Sequence, residues 1–413
     1  PTTLSHYIYV GRNVAHHNKQ SGFWTKYAEH VIFSENVAYG FKESSSSLGQ
    51  ALGWQYGPNH VWFLFNHAHD SEFGIYSGSS SGPGFDGECL NINIIGNYFH
   101  DIYHSSEEWN PTGTPDMIQG TAIGPRGVKE LYIIGNTITR VDAGISVGVS
   151  TTKTIAIVNN LVSDITAISY SHHLRLDDRE SGAGIANTTC DYNLLYQPGD
   201  SPRIITGMNY LNYKTLLQFQ SEFNKGLHSL DVDPMLIESP QGSVSLYAES
   251  PAIDAGTGAG DVNEVFARFE GLYGIDIRKD IAERARPQGG GWDIGAYEYV
   301  LESIEDLAGS GGSQNSLTVG WTIPGADGSS DRPGRYDIRY ATSAITQANW
   351  DSAMQVQGEP EPADVGDSQS FTIGGLNPGT TYYIGIKTSN TAGTTISDLS
   401  NIASAATASS GNR

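Results

Sequence analysis

I-I-G-N-Y-F-H-D, residues Ile94–Asp101, returns as I-I-G-N-T-I-T-R (Ile133–Arg140) and as I-V-N-N-L-V-S-D (Ile157–Asp164). Each copy is a short apolar run ending in asparagine, with an aliphatic or aromatic residue two places later. Copies centre on Asn13, Asn36, Asn66, Asn97, Asn136 and Asn160. A motif recurring at intervals of roughly 23 to 40 residues means stacked supersecondary units rather than one folded-over sheet.

The patches around the motif name the unit. A β-branched strand precedes each asparagine: His30–Phe33, His60–Phe65, Ile92–Ile95, Leu131–Ile134 and Thr154–Val158. A second short strand follows, then a variable loop, then a third patch that sets a small residue beside an apolar one: Gly22–Trp24, Gly74–Tyr76, Thr121–Gly124 and Gly144–Val147. Three short strands per turn with no helix between them predict an all-β chain built on a right-handed parallel β-helix over residues 1–235. Asparagine suits the turn because it tolerates left-handed backbone angles and can hydrogen-bond to its copies above and below.

Stacking turns the repeat into columns about 4.8 Å apart. Two residues after each asparagine, Ala15, Ala38, Ala68, Phe99, Ile138 and Val162 form an inward column. At the next two positions His69 and Asp70 stack on His100 and Asp101. Such a cluster could hold a divalent metal or act as acid and base on a sugar. The plainer reading is that the carboxylate closes the turn while the imidazole stacks on its neighbour.

The chain has 413 residues, enough for two or three domains, and a formal charge of −22 from 45 acids against 23 bases. That balance argues against nucleic acid or an anionic membrane as a partner of a basic surface. No run approaches the ~18 apolar residues of a membrane span. Glycine, at 49 residues, suits turn-rich β structure. Cys89 and Cys190 fall three coils apart, ~14 Å at the strand spacing, which is beyond disulfide reach and predicts two buried free thiols. The first residues, S-H-Y-I-Y-V-G-R-N, enter a repeat directly. The expectation is a trimmed end, its open coil covered by a lost segment or by another chain.

Residues 236–300 break the repeat. Ser250–Gly256 (S-P-A-I-D-A-G), Asp276–Asp280 (D-I-R-K-D) and Gly290–Tyr299 (G-G-W-D-I-G-A-Y-E-Y) resemble the ending of many secreted right-handed β-helix proteins of bacteria. The resemblance implies a terminal cap over the open last coil. From 302 to 408, alternating strands Leu317–Trp321, Tyr336–Tyr340, Ser370–Ile373 and Tyr382–Thr388 surround L-x-P-x-T-x-Y at Leu376–Tyr382. With Trp321 where a core tryptophan would sit, this region resembles a fibronectin type III module, which implies a spacer or attachment role. Residues 409–413 are low in complexity and expected to be disordered.

The β-helix resembles the pectate-lyase-like superfamily, in which the third-patch sheet and its flanking loops form the sugar-binding cleft. The long insertions Lys42–Gln50, Tyr103–Gly120 and Tyr170–Gly184 fit such a cleft. Trp24, Trp54, Tyr56, Tyr76 and Trp109 are the aromatics expected to stack on sugar rings. The densest ionisable stretch is His172–Glu180, H-H-L-R-L-D-D-R-E. A polysaccharide lyase must neutralise a uronate carboxylate, take the C5 proton and protonate the leaving oxygen. Arg175 or Arg179 could clamp the carboxylate, and His172, His173 or Lys26 could be the base. Asp177, Asp178 and Glu180 could hold calcium. A hydrolase would need two carboxylates about 5 to 9.5 Å apart, from Asp177, Asp178, Glu107, Glu108 or Asp116. The bland alternative is a solvated loop with internal ion pairs.

The functional expectation is a secreted, carbohydrate-active protein acting on acidic polysaccharide, a lyase before a hydrolase. The alternative is a non-catalytic extracellular protein, either a surface adhesin or a filament subunit. The filament form would self-assemble through the N-terminal coil and the fibronectin module.

Overall fold

The computed structural model describes residues 5–18, 21–42, 48–78, 89–104, 120–166, 171–207, 213–238, 242, 244–325 and 332–410. It divides into two compact units, the first formed by residues 1–234, 255–287 and 291–297, the second by 235–254, 288–290 and 298–413.

The first unit is a parallel β-helix with three sheets. The first sheet stacks Ser5–Gly11, Ala28–Ser34, Asn59–Leu64, Leu90–Ile95, Glu130–Ile134, Thr154–Val158 and Thr189–Asp191 in that order. The second stacks Val14–His16, Val37–Tyr39, His67–Ser71, Tyr98–Ile102, Thr137–Val141, Leu161–Ile165 and Leu194–Tyr196. The third stacks Ser21–Lys26, Gln50–Gln55, Phe73–Ser77, Thr121–Gly124, Ala143–Val149, His172–Asp178 and Ile204–Thr206, and Tyr213–Lys214 adds to it antiparallel.

The asparagines form a ladder one rung longer than the periodic reading. Asn13, Asn36, Asn66, Asn97, Asn136 and Asn160 each give their backbone N–H and side-chain amide to the carboxamide oxygen of the next, ending on Asn193. The Ser229 hydroxyl then accepts from the Asn193 backbone at 3.0 Å. The left-handed angle belongs to the residue before: Arg12, Glu35, Phe65, Gly96, Gly135, Asn159 and Tyr192 have φ between 55° and 65°. Asparagine is therefore placed for its ladder and not for backbone tolerance. A second left-handed column does select side chains: His17, Gly40, Asp70, Asp101, Arg140 and Asp164 all have positive φ. This is the backbone reason an Asp follows His69 and His100. As expected, Ala38, Ala68, Phe99, Ile138 and Val162 are fully buried, and both cysteines are buried and free.

Residues 255–297 do not close the end of the solenoid. The helix Asp261–Tyr273 turns Val262, Val265, Phe266 and Phe269 onto Trp62, Leu64, Ile95, Tyr132, Ile134, Ala156 and Val158. These are the outward side chains of the first sheet, so its strands are apolar on both faces, unlike a sheet that meets water. Arg268 lies over Tyr132 at 4.6 Å and donates to Asn93 at 3.1 Å. Nearer the first coil, burial pushes the Glu35 carboxyl up, but Lys279 and Arg12 at 2.8 and 2.7 Å overcome it and hold it below its ordinary range. The last coil is covered instead by the helix Leu216–Phe223, started by a Thr215–Gln218 capping box, whose Leu216 and Phe219 join the central core. Replacing Phe269 by Ala should cost about 3 to 5 kcal/mol through loss of the flank contact. Thermal unfolding followed in the near ultraviolet checks this, and an unchanged midpoint would mean that the helix is not braced there.

The second unit is a β-sandwich. One sheet contains Ala308–Gly311, Ser316–Thr322 and Ser368–Gly374, the other Met354–Gln355, Arg335–Ala341, Thr381–Ser389 and Ala403–Ala406. Trp321 packs edge-on against Tyr336 at 5.1 Å, among Leu317, Ile338 and Ile384. The Tyr382 hydroxyl accepts the Asn377 backbone N–H at 3.0 Å, the corner expected from L-x-P-x-T-x-Y. Residues 409 and 410 are exposed, and 411–413 lie outside the described residues. Among the described residues no helix is long and apolar enough to cross a membrane.

Candidate functional site

On the third sheet, Leu52, Ile75, Ile123, Ile145, Leu174 and Ile204 stack in register as an inward column, each at most 1% exposed. The residues that follow them turn outward. Gly53 lies beside Tyr76, Tyr76 beside Gly124, and Ser146 beside Arg175. Gly124, Ser146 and Gly148 leave the floor low, and a depression of about 190 Å³ opens over it. Its walls carry Arg126, Lys153, Arg175 and Arg179 on the cationic side, with Asp177 the sole carboxylate among the described lining residues.

Each cation has a local support. The Ser77 hydroxyl bonds both the backbone N–H and carbonyl of Arg126. Lys153 donates to the Gly148 carbonyl at 3.3 Å. The Arg175 side chain is only 7% exposed; its Nη1 donates to Ser146 Oγ at 3.4 Å and its Nη2 lies 3.5 Å from Asp177 Oδ2. Arg179 reaches the same oxygen at 3.2 Å from a largely exposed position. Burial pushes the Tyr76 phenol up, so it stays protonated.

The stretch His172–Glu180, which composition allowed to be a solvated loop, is a strand of this sheet through Asp178. Alternation turns His172 inward with Leu174 and Leu176, while His173 shares the outward face of Arg175 and Asp177 but is covered by Tyr196 and Arg203. Arg175 and Asp177 face the groove, whereas His172 and His173 are 0% and 1% exposed. His173 spends both ring nitrogens on structure: Nε2 donates to the Tyr196 carbonyl at 2.9 Å and Nδ1 accepts the Arg203 N–H at 3.1 Å. Burial lowers its pKa to about 4. Neither histidine is placed to serve as a base in the groove. Lys26 lies on the opposite edge strand, five strands from Arg175 and so ~24 Å away. Its ammonium sits 5.5 Å over Tyr56, which stacks on Tyr27 at 5.1 Å. The half-buried Trp24 lies across Gly53, where a Cβ would collide with its ring. Trp54 points inward, 1% exposed and packed on Phe63, so it cannot meet a sugar. Trp109, with Glu107, Glu108 and Asp116, lies outside the described residues.

The three carboxylates expected to share calcium face different partners. Asp177 takes the two arginines, Asp178 accepts the backbone N–H groups of Glu180 and Ile185, and Glu180 accepts that of Thr151. Among the described residues no group of three or more His, Cys, Asp or Glu is poised to share a metal ion. The His/Asp column on the second sheet stacks as expected, with His69 on His100 at 4.9 Å and 2° between planes. Its neighbours explain it structurally. His69 bonds Asp70, and His100 bonds Asp101, each at 2.6 Å. Burial pushes the Asp101 carboxyl up, but Arg140 and His100 bring it down to about 2.

Arg126 and Lys153 were not singled out from sequence, although a signal existed. G-P-R-G (Gly124–Gly127) and S-T-T-K (Ser150–Lys153) each follow a third-sheet strand, so consecutive coils deliver a cation to one corner.

Buried histidines make the fold acid-sensitive. Burial holds His67 at about 3 and His173 at about 4, both below the ordinary value of 6.5. The unfolded chain therefore binds more protons below that value, and stability present above it is lost as pH falls toward 4. For His173 the loss is on the order of ~3 kcal/mol. Urea unfolding at pH 7 and near pH 4.5 tests this; equal midpoints would refute it.

Residues 302–404 match the family model of the fibronectin type III domain and are such a domain. No curated protein matches the chain. Among solved structures, the chain is similar to a Fn3-like protein from Clostridium thermocellum at 16% identity, over 27% of this chain and 99% of that one, with a TM-score of 0.19. It is also similar to the sixth fibronectin type III domain of human fibronectin type III domain containing protein 3, at 17% identity over 27% and 91%, with a TM-score of 0.19.

Proposed function

We propose that this is a secreted carbohydrate-active protein that takes an acidic polysaccharide along the third sheet and cleaves it by β-elimination. The observation that carries this reading is the groove's charge. A chain with formal charge −22 gathers Arg126, Lys153, Arg175 and Arg179 from three successive coils against one carboxylate among the described lining residues. Such local reversal favours an anionic ligand over a neutral one. Arg175, held flat by Ser146 and Asp177, is suited to a uronate carboxylate, whose neutralisation acidifies the C5 proton. Arginines stay charged, so proton abstraction falls to Lys153 in its neutral amine form, with Arg126, Arg175 and Arg179 remaining as the cations that hold the ligand. The C5–H electrons form the C4–C5 double bond, the C4–O bond breaks with its electron pair on the glycosidic oxygen, and the protonated Tyr76 gives its proton to that leaving oxygen. Among the described lining residues Asp177 is the one carboxylate, so hydrolysis would have to draw the second of its pair from outside them.

Incubation with pectate, alginate and glycosaminoglycans should raise absorbance near ~235 nm, where the unsaturated uronate formed by acid–base elimination absorbs. Silence on all three would end the lyase reading. Binding without that rise would leave a non-catalytic acidic-glycan binder.

A further inference from the structure

The fibronectin type III domain carries a cavity of about 300 Å³ of its own, walled by Asp337, Arg339, Trp350, Lys387 and Ser389. Its geometry follows from strand alternation. Asp337 and Arg339 are two apart on Arg335–Ala341 and share a face. Lys387 stands directly across from Asp337 on Thr381–Ser389, and Ser389 is two further along. The short 3-10 helix Gln347–Ser352 lays Trp350 over this face.

A lysine opposite an aspartate would ordinarily pair with it. Here Arg339 takes that carboxylate instead, with its Nε 3.0 and 3.2 Å from the two oxygens and its Nη2 at 3.0 Å. The same guanidinium stacks on Trp350 at 5.0 Å and donates to the Trp350 carbonyl at 3.2 Å, so it is held on Asp337 from two sides. Lys387 is left 8% exposed, its ammonium 5.2 Å over the Trp350 ring. Among the described residues no carboxylate lies within ion-pair distance of it. A ring face attracts an ammonium only weakly beside what a paired carboxylate would give. The other carboxylate on the cavity, Asp351, is almost fully exposed and faces Arg339 at 3.5 Å.

We infer that this cavity is an anion site, with the Lys387 ammonium and Ser389 hydroxyl receiving the carboxylate of a small ligand such as a sugar acid. The volume sits at the lower end of small-molecule sites and suits one monosaccharide-sized body rather than a polymer segment. The site stands apart from the reading of the third-sheet groove, because its groups belong to the sandwich alone.

The test uses the full chain, isotope-labelled, with the amides of Lys387 and Ser389 and the Trp350 indole N–H followed by NMR at constant ionic strength. Sodium acetate and sodium galacturonate are titrated, with glucose as the neutral comparison. The site predicts saturable shifts at these signals with galacturonate and none with glucose. An equal response to acetate would assign recognition to the carboxylate alone, and a stronger response to galacturonate would add the sugar ring. Lys387→Met, which keeps the stem on Trp350, should weaken binding about tenfold or more, while Lys387→Arg, which keeps the charge, should retain most of it. Ser389→Ala gives a milder second probe, with a few-fold loss. Unmoved signals with both carboxylates would overturn the site. So would an equal response to glucose, or undiminished binding in a Lys387→Met protein whose spectrum remains dispersed.

Discussion

Asn97→Ala should destabilise the β-helix by about 3 to 5 kcal/mol, a large part of the whole stability of an ordinary domain. Asn97 is 0% exposed and stands mid-ladder. Its carboxamide oxygen is the acceptor for both the backbone N–H and the side-chain amide of Asn66, at 2.8 and 2.9 Å. Its own amide donates to Phe63 and Ile95 carbonyls and to Asn136. Alanine would orphan two buried donors at once and strip several acceptors of a partner, with no water able to reach them. Truncating one side of a buried network costs the desolvation of what remains, which exceeds the net value of the bonds lost. Asn13→Ala provides the internal scale. Asn13 is exposed at the first described rung and, among the described residues, no other asparagine donates to it, so its loss should cost under about 1 kcal/mol. Urea unfolding followed by circular dichroism compares the two. Similar midpoints would show that the ladder is register without stabilisation.

Arg175→Ala should cut turnover on an acidic polysaccharide by about 10²- to 10³-fold if the groove eliminates across C4–C5, since it removes the charge that meets the developing enolate. The expected loss falls mainly on kcat, because Arg126, Lys153 and Arg179 remain to hold the chain. Arg175→Lys should recover only part of it, as an ammonium keeps the charge but not the planar fork. The scaffold should persist: Asp177 still has Arg179, and Leu174 and Leu176 still fill the core on either side. Wild-type turnover in Arg175→Ala would remove this arginine from the chemistry. A loss confined to KM would make the groove a holding surface.

These predictions differ in how far ahead the chain announced them. The apolar-asparagine repeat placed the three sheets, the inward column at Ala38 to Val162, and the free cysteines. The tyrosine corner and Trp321 likewise placed the sandwich. Residues 236–300 read as an end cap because motifs such as G-W-D-I-G-A-Y say that the repeat has stopped, not that a helix forms or which surface the chain then covers. The signal for the true location was the second apolar set at Trp62, Ile95, Tyr132 and Ile134. On a solvated sheet those positions would be polar, so their character required a cover.

Function was harder to read. His172, His173 and Arg175 are neighbours in sequence, yet strand alternation turns His172 into the core, and the Tyr196 and Arg203 segments cover His173, leaving the arginine to the groove. Conversely, Arg126 and Lys153 are 27 residues apart on adjoining coils and come to one groove only by stacking. That is a repeat length and not a motif: Ser146 and Arg175 pair at a separation of 29. A one-dimensional repeat suffices to specify a stacked fold, because every coil solves the same local problem of burying one column and satisfying one turn. Which cations converge depends on loop lengths and on a one-residue choice of face, and those are resolved only when neighbouring coils lock in register.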